Sequence, residues 1–386
     1  MADDGRTRDR VCLKLGPPPA ETRSHGHVHR KVTMRLRPRT LGLAAALAVS
    51  SALVAGAVPA TASPGVDLKA AATSRVYGSD RIGTAVAAAK SFSGQRADAV
   101  VLTRSDTFAD ALAGAPLASD KGGPLLMTPR TTLDPSVAAA ITDVLKTTGT
   151  VYLLGDGNAL STGVEDAVKA LGFRTVRLFG SDRFGTAVAI AKELPAAQTV
   201  SVVTGWNFPD GLAAGALMGV VDTDSKHGIG VVLLSDGTNL GGATQGYLDS
   251  RRFTTKIAIG GVAVTAVNKY QTGWSQLAGN DRYETASLVA RQFSSAAFFE
   301  DATSLLGVAT GENWPDALAG SALLAYGGGP MLLTARGSLP ASTKSAIDAL
   351  KADAVANGTS ITKVLVFGDE NSVSAPVYDA VVSAVG

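Results

Sequence analysis

Short, nearly continuous apolar runs alternate along the chain with longer alanine-rich stretches whose apolar positions recur at helical spacing. Val100-Val101-Leu102 and Pro124-Leu125-Leu126-Met127 have the length and unbroken character of strands buried on both faces. Around them, residues 84–90, 110–118, 136–146 and 163–171 read as helices, and Asp134-Pro135 and Leu339-Pro340 mark helix starts with proline just inside the first turn. Apolar strands separated by helices predict parallel sheets covered on both sides, an α/β fold.

The pattern repeats. Arg75-Val76-Tyr77-Gly78-Ser79-Asp80-Arg81 returns as Arg177-Leu178-Phe179-Gly180-Ser181-Asp182-Arg183 and as Gln276-Leu277-Ala278-Gly279-Asn280-Asp281-Arg282. Thr84, Thr186 and Thr285 follow at one spacing, and the copies lie about 100 residues apart. A second block holds Phe108-Ala109-Asp110, Phe208-Pro209-Asp210 and Trp314-Pro315-Asp316. A third contains Gly123-Pro124-Leu125-Leu126, Gly230-Val231-Val232-Leu233 and Gly329-Pro330-Met331-Leu332, and a fourth Gly155-Asp156, Gly260-Gly261 and Gly368-Asp369. Four blocks in one order, three times, divide the body after a linker (63–73) into units 74–174, 175–273 and 274–386. These units fill the body, so no separate catalytic domain is expected. Units one and two run from their last helix into the next strand, whereas unit three stops after a helix at 376–385, and Arg75-Val76-Tyr77 is a spare strand at the start. If that strand completes the third sheet, the three small parallel sheets close into a pseudo-threefold ring; otherwise the units are beads.

Composition changes the picture at the N-terminus. Of 35 Lys+Arg and 33 Asp+Glu, the first 62 residues hold 10 and 4, with three of the four His and the one Cys. The other 324 residues carry 25 basic and 29 acidic side chains, so the basic pI belongs to the leader and nucleic acid is not expected as a partner. With His227 alone and no Cys, the body is poorly supplied for a thiol nucleophile, a Ser-His-Asp triad or a Cys/His zinc site, and neither metal nor cofactor is expected. Met34-Arg35-Leu36-Arg37-Pro38-Arg39, the apolar run 41–58 and Ala60-Thr61-Ala62 read as a secretory signal over 34–62. Residues 1–33 read as an untranslated or discarded extension ahead of a true initiator at Met34. The mature protein is then expected to begin near Ser63 and to leave the cytoplasm, with no stable membrane insertion.

The candidate chemistry rests on the repeated polar residues. Asp80, Asp182 and Asp281 read either as helix caps or as ligand-binding groups. Arg81, Arg183 and Arg282 either pair with Asp110, Asp210 and Asp316 or grip a phosphate or carboxylate, with Thr84, Thr186 and Thr285 as hydroxyl donors. Phe108, Phe208 and Trp314 read as staples into the core or as platforms for a sugar face. Gly155-Asp156-Gly157 lacks the third glycine of a dinucleotide fingerprint, so a nucleotide site carries little weight.

The triple Gly-x-Asp-Arg-x-x-Thr, the (Phe/Trp)-x-Asp helix start, the Pro-Leu-Leu type run and the strand ending in Gly-Asp together resemble the type 2 cell-wall-binding repeat of Gram-positive surface proteins, which typically occurs as three tandem copies. The resemblance covers Arg75 to the C-terminus. It implies a pseudo-trimeric arrangement, non-covalent attachment to anionic wall polysaccharide, and frequent fusion to amidases, proteases or surface-layer regions. Unit two departs from the pattern at Val231 and carries an insertion-like stretch at 222–228; unit three has Glu284 where the others have glycine. The expected function is a secreted, non-catalytic wall-binding protein at the cell wall or surface, engaging a repeating polymer through three similar clefts. The alternative is a wall hydrolase or amidase-related enzyme using cleft carboxylates such as Asp80 and Asp110.

Overall fold

The computed structural model describes residues 71–91, 97–220, 229–294 and 303–386. The signal, the extension before it, most of the linker and the stretch 222–228 lie outside the described residues. Strand β1 (Ala72–Val76) and helix α1 (Arg81–Lys90) lead into β2 (Ala97–Arg104), α2 (Gly114–Asp120), β3 (Leu125–Thr128), α3 (Pro135–Val144), β4 (Leu145–Leu154), α4 (Thr162–Ala170) and β5 (Arg174–Leu178). The cycle recurs with α5 (Arg183–Lys192), β6 (Thr199–Thr204), α6 (Pro209–Met218), β7 (Val231–Ser235), α7 (Gly242–Ser250), β8 (Thr255–Ile259), α8 (Gly261–Tyr270) and β9 (Ser275–Leu277). A last pass holds α9 (Arg282–Ala290), β10 (Leu305–Thr310), α10 (Pro315–Gly327), β11 (Met331–Thr334), α11 (Ala341–Ala356), β12 (Lys363–Phe367) and α12 (Ala375–Val385).

The strands form three parallel sheets of the same order, β3-β2-β4-β5, β7-β6-β8-β9 and β11-β10-β12-β1. The α/β class and the three-sheet plan are those predicted. The third sheet takes its edge from the other end of the chain, β1 running parallel to β12 from Ala72 beside Lys363 to Val76 beside Phe367. In each sheet the fourth strand therefore belongs to the sequence block that opens the next repeat, and the helix after it packs on the following sheet: α5 on β7, α9 on β11, α1 on β3.

Helices α2, α6 and α10 pack on one another between the sheets. Small residues allow this: a Cβ on Gly219 would stand 2.6 Å from that of Ala325, and the buried Ser321 hydroxyl donates to the Leu212 carbonyl at 2.6 Å. Strands are apolar on both faces because both are covered. On β12, Leu365 and Phe367 join the central core while Val364 and Val366 join a second cluster with Ile347 and Val381.

Two helix expectations need correction. The helix expected over 136–146 ends at Val144, because the fully buried Leu145 already starts β4 and Lys146 pairs with Asp98 on β2 at 2.6 Å. The helix expected from Asp110 begins at Gly114 after a run of turns. Repeats two and three start theirs at Pro209 and Pro315, where the fixed φ of proline sets the first turn. Ala109 occupies that place in repeat one.

Candidate ligand-binding clefts

Each Gly-x-Asp-Arg-x-x-Thr copy turns the chain from a strand into a helix. The Asp80 carboxylate accepts from the Gly83 N–H at 2.8 Å, Asp182 from Gly185 at 2.8 Å, and Asp281 from Tyr283 and Glu284 at 2.9 and 2.8 Å, so all three cap their helices. The buried hydroxyls of Thr84, Thr186 and Thr285 accept from the N–H groups of Gly78, Gly180 and Gly279 at 3.2, 3.2 and 3.1 Å, which ties each turn shut. Each arginine donates to the carbonyl just past the first strand of the sheet its helix covers: Arg81 to Ser105 at 2.9 Å, Arg183 to Gly205 at 2.7 Å, Arg282 to Gly311. In unit three, Glu284 takes the Asn280 backbone N–H at 2.7 Å and its side-chain amide at 2.8 Å, so this departure from glycine reinforces the cap.

The carboxylates of the second block are where the sequence expectation fails. It pairs each arginine with the aspartate of its own repeat and matches Asp80 with Asp110; the structure moves every partnership by one repeat. Asp110 shares a cleft of about 310 Å³ with Asp182, Arg183 and Thr186. Asp316 shares one of about 220 Å³ with Asp80, Arg81 and Thr84. Asp210 feels the charge of Arg282. Asp80 and Asp110 thus lie in different clefts. The cause is topological: the turn after a sheet's fourth strand stands over the carboxyl ends of that sheet, while its helix already belongs to the next one. Each cleft therefore spans a repeat junction, between the strands where the order reverses, the usual ligand position in such sheets.

Glycine of the fourth block completes the junction. Gly155, Gly260 and Gly368 have φ of 96°, 87° and 99°, and a Cβ there would come within 2.8, 1.9 and 2.6 Å of Oδ2 of Asp110, Asp210 and Asp316. Side chains are excluded by both the backbone and the approaching carboxylate. The three carboxylates are half-buried and their pKa values rise. Burial lifts Asp110 against a hydrogen bond with Thr186, and lifts Asp316 against bonds with Ser372 and Thr84, the former at 2.8 Å. Asp210 has only the Arg282 charge in opposition and is pushed up to about 6. Asp156, beside Asp110, moves down through hydrogen bonds from the Ala159 N–H and the Asn158 amide. In Asp369, beside Asp316, burial is outweighed by bonds from Asn371 and Ser372 and the pKa again falls.

Phe108 meets both Phe208 and Trp314 in edge-on contacts, at 5.7 and 6.3 Å between ring centres. Arg81, Arg183 and Arg282 stand over Trp314, Phe108 and Phe208 at 5.5, 5.9 and 5.8 Å, each again over the preceding repeat. The three rings form the packed centre that joins the repeats. The exposed rings are others: Tyr77 and Phe179 next to the turns, and Trp206 in the Asp110 cleft, all more than half exposed at 55%, 54% and 57%.

A sequence profile for cell wall binding domain 2 (CWB2) matches residues 75–165, 177–268 and 276–378, in step with the three repeats. The chain belongs to this family. The chain aligns at 28% identity over 67% of its length with N-acetylmuramoyl-L-alanine amidase LytC of Bacillus subtilis (strain 168), covering 50% of that protein. It aligns at 25% over 71% of its length with the amidase enhancer of the same organism, covering 36% of that protein. The chain thus spans half or less of these relatives. Among solved structures, Cwp6 and Cwp8 from Clostridium difficile share the fold, with TM-scores of 0.68 and 0.64, 21% and 22% identity, 82% and 81% of this chain and 48% and 51% of theirs.

Within these cell wall binding domain 2 repeats, sequence reasoning missed the groups that hold the fourth-block loops. Arg75 donates to the carbonyls of Gly368, Asp369 and Val373 at 2.9, 3.1 and 3.0 Å. Arg177 does the same to Gly155, Asp156 and Leu160 at 3.0, 3.0 and 2.9 Å, and is held by Glu165 at 2.9 Å. Gln276 occupies the third position and bonds Asn268 instead, at 3.0 Å. The signal was present: Arg75 and Arg177 open the first block where Gln276 replaces them, and the acid after Gly155 and Gly368 is missing after Gly260. Among the described residues no group of three or more His, Cys, Asp or Glu could hold a metal ion, and no helix is long and apolar enough to cross a membrane.

Proposed function

We propose that this chain is a secreted, non-catalytic wall-binding protein that attaches non-covalently to an anionic wall glycopolymer through its three junction clefts. One observation carries the reading: the same arginine, threonine and two aspartates recur at every junction, where neighbouring sheets meet at their carboxyl ends. Guanidinium groups donate to phosphate or carboxylate, cleft carboxylates accept from sugar hydroxyls, and the exposed Tyr77, Phe179 and Trp206 offer flat faces to sugar rings. Asp80, Asp182 and Asp281 act in binding through the helix starts they cap. Repetition suits a polymer, since three weak contacts linked in one body gain about 10² to 10⁴ over one.

The test is retention of the purified chain on walls before and after acid extraction of their secondary polymers. Retention is expected to vanish on extraction and to fall with salt. A single Arg→Ala change at 81, 183 or 282 weakens it modestly and the triple change abolishes it with the fold intact; unchanged retention on extracted walls would sink the reading. A hydrolase reading rests on the opposite pKa movements of Asp110 and Asp156, and of Asp316 and Asp369, the pattern of an acid and a base. Release of soluble fragments from purified wall polymer, lost in D110N/D316N, would establish it; intact polymer after long incubation leaves the binding role.

A further inference from the structure

The junction clefts occupy the carboxyl ends of the strands. At the opposite end of the second sheet lies a cavity of about 430 Å³, where α7 and α8 end and β8 and β9 begin, within the size range of small-molecule pockets. Its walls include Arg251, Arg252, Phe253, Lys256, Tyr270 and Trp274. Asp249 is the lone acid there, and its carboxylate already accepts from the Tyr270 hydroxyl at 2.6 Å.

The three cations are held differently. Arg251 is anchored by the carbonyls of Pro195 and Ala197 at 2.7 and 3.1 Å and stands over Phe253 at 5.3 Å. Lys256 donates to Gln271 at 3.1 Å and lies 5.6 Å over Trp274, and the exposed Arg252 has no hydrogen bond or ion pair among the described residues. Positive charge gathered without matching acids calls for an anion.

A second observation is independent of charge. Trp274 is only 6% exposed, and its Nε1 is the one buried side-chain nitrogen among the described residues with no hydrogen-bond partner. Such a donor costs about 1–3 kcal/mol unless something accepts from it. Repeat one shows that the donor is not needed for packing: Phe173 occupies the matching place, after a glycine of positive φ as Trp274 follows Gly273. The place of Lys256 in repeat one is taken by the fully buried Val151, so the cation too is particular to repeat two.

We propose that this cavity binds an anionic saccharide unit, a sugar ring bearing a carboxylate or phosphate, with Arg252 and Lys256 meeting the anion and the Trp274 indole N–H donating to a sugar oxygen. The aromatic walls fit the ring and the cations fit the charge. The site is separate from the junction clefts and stands whether or not they bind the wall.

The full chain labelled with ¹⁵N shows three indole N–H signals, from Trp206, Trp274 and Trp314, which single Trp→Phe variants assign. Glucuronate and glucose 6-phosphate at millimolar concentrations are expected to move the Trp274 signal, and neutral glucose is not. R252A/K256A should weaken the effect at least about tenfold. W274F, which repeat one shows to be sterically acceptable, should weaken glucuronate binding several-fold by calorimetry with the fold retained. The triple arginine variant of the junction clefts should leave all of this unchanged. A Trp274 signal that ignores both acidic sugars, responds equally to glucose, or is unaffected by R252A/K256A would overturn the proposal. Free phosphate binding as tightly as glucose 6-phosphate would overturn the saccharide assignment.

Discussion

The junction between repeats one and two and the junction between repeats two and three are built from the same blocks, yet they differ at each point where a polar partner is added. In the first, Asp110 bonds Thr186, Asp156 stands beside it, Arg177 braces the loop that carries Asp156, and Arg104 and Trp206 enlarge the wall. In the second, Asp210 meets Gly260, the next residue is Gly261 rather than an acid, Gln276 replaces the bracing arginine, and Glu312 stands where Trp206 does. The consequence is physical. Asp110 is buried but shared among partners, whereas Asp210 is buried with one distant charge and moves to about 6. Repetition preserved the backbone of the cleft, while the partners that make it a polar site were kept together or lost together. The junction between repeats three and one sides with the first, through Arg75 and Asp369, although its two halves come from opposite ends of the chain.

The largest effect should come from breaking that last junction. Deleting residues 71–76 removes the β12 partner strand, five residue pairs long, at on the order of 5 kcal/mol for the lost ladder. Hydrogen exchange should then show lost protection in Lys363–Phe367; loss confined to α1 and its surroundings would mean that β1 contributes little to the third sheet. Next comes the bracing arginine. R177A should cost about 2–4 kcal/mol in urea unfolding, since it abandons three carbonyls and Glu165, while Q276A should stay within about 0.5 kcal/mol. Equal losses would erase the distinction between the junctions.

Asp210 sharpens the comparison through pH. Its folded pKa of about 6 lies above the unfolded value, so the folded state binds more protons between about pH 4 and pH 6 and stability falls as pH rises through that window. D210N should therefore be more stable than the parent above pH 6, by about 1–3 kcal/mol, and equal to it near pH 4. A parent that gains stability from pH 4 to 7 relative to D210N would contradict the buried-acid account. The smallest effect is expected at Glu165, whose bonds to Lys169 and then Arg177 hold it at about 2. Its stabilisation is present above the unfolded value of 4.5 and is lost as pH falls through about 2. E165Q should cost about 1–2 kcal/mol at pH 7 and nothing near pH 2, by thermal melts across that range.

Much of this molecule was legible one short segment at a time. The apolar runs marked strands because both faces of a parallel sheet are covered, proline marked the helix start at Pro135 and, one residue early, at Pro340, which is the cap before Ala341, and Asp80, Asp182 and Asp281 could be read as caps from their place before a helix. Those inferences use interactions within a few residues, and the sequence by itself determined them, together with the threefold plan. The errors came from distant partners: Lys146 looked helical, but Leu145 pairs with Ala97 on β2 in a buried strand position. Only the tertiary structure decided which aspartate faces which arginine. Asp110 meets Arg183, and Asp316 meets Arg81, because each sheet borrows its fourth strand from the block that opens the next repeat. Three near-identical blocks satisfy every local preference equally well in either register, so the choice rests on strand pairing and helix packing between distant segments, which no single block encodes.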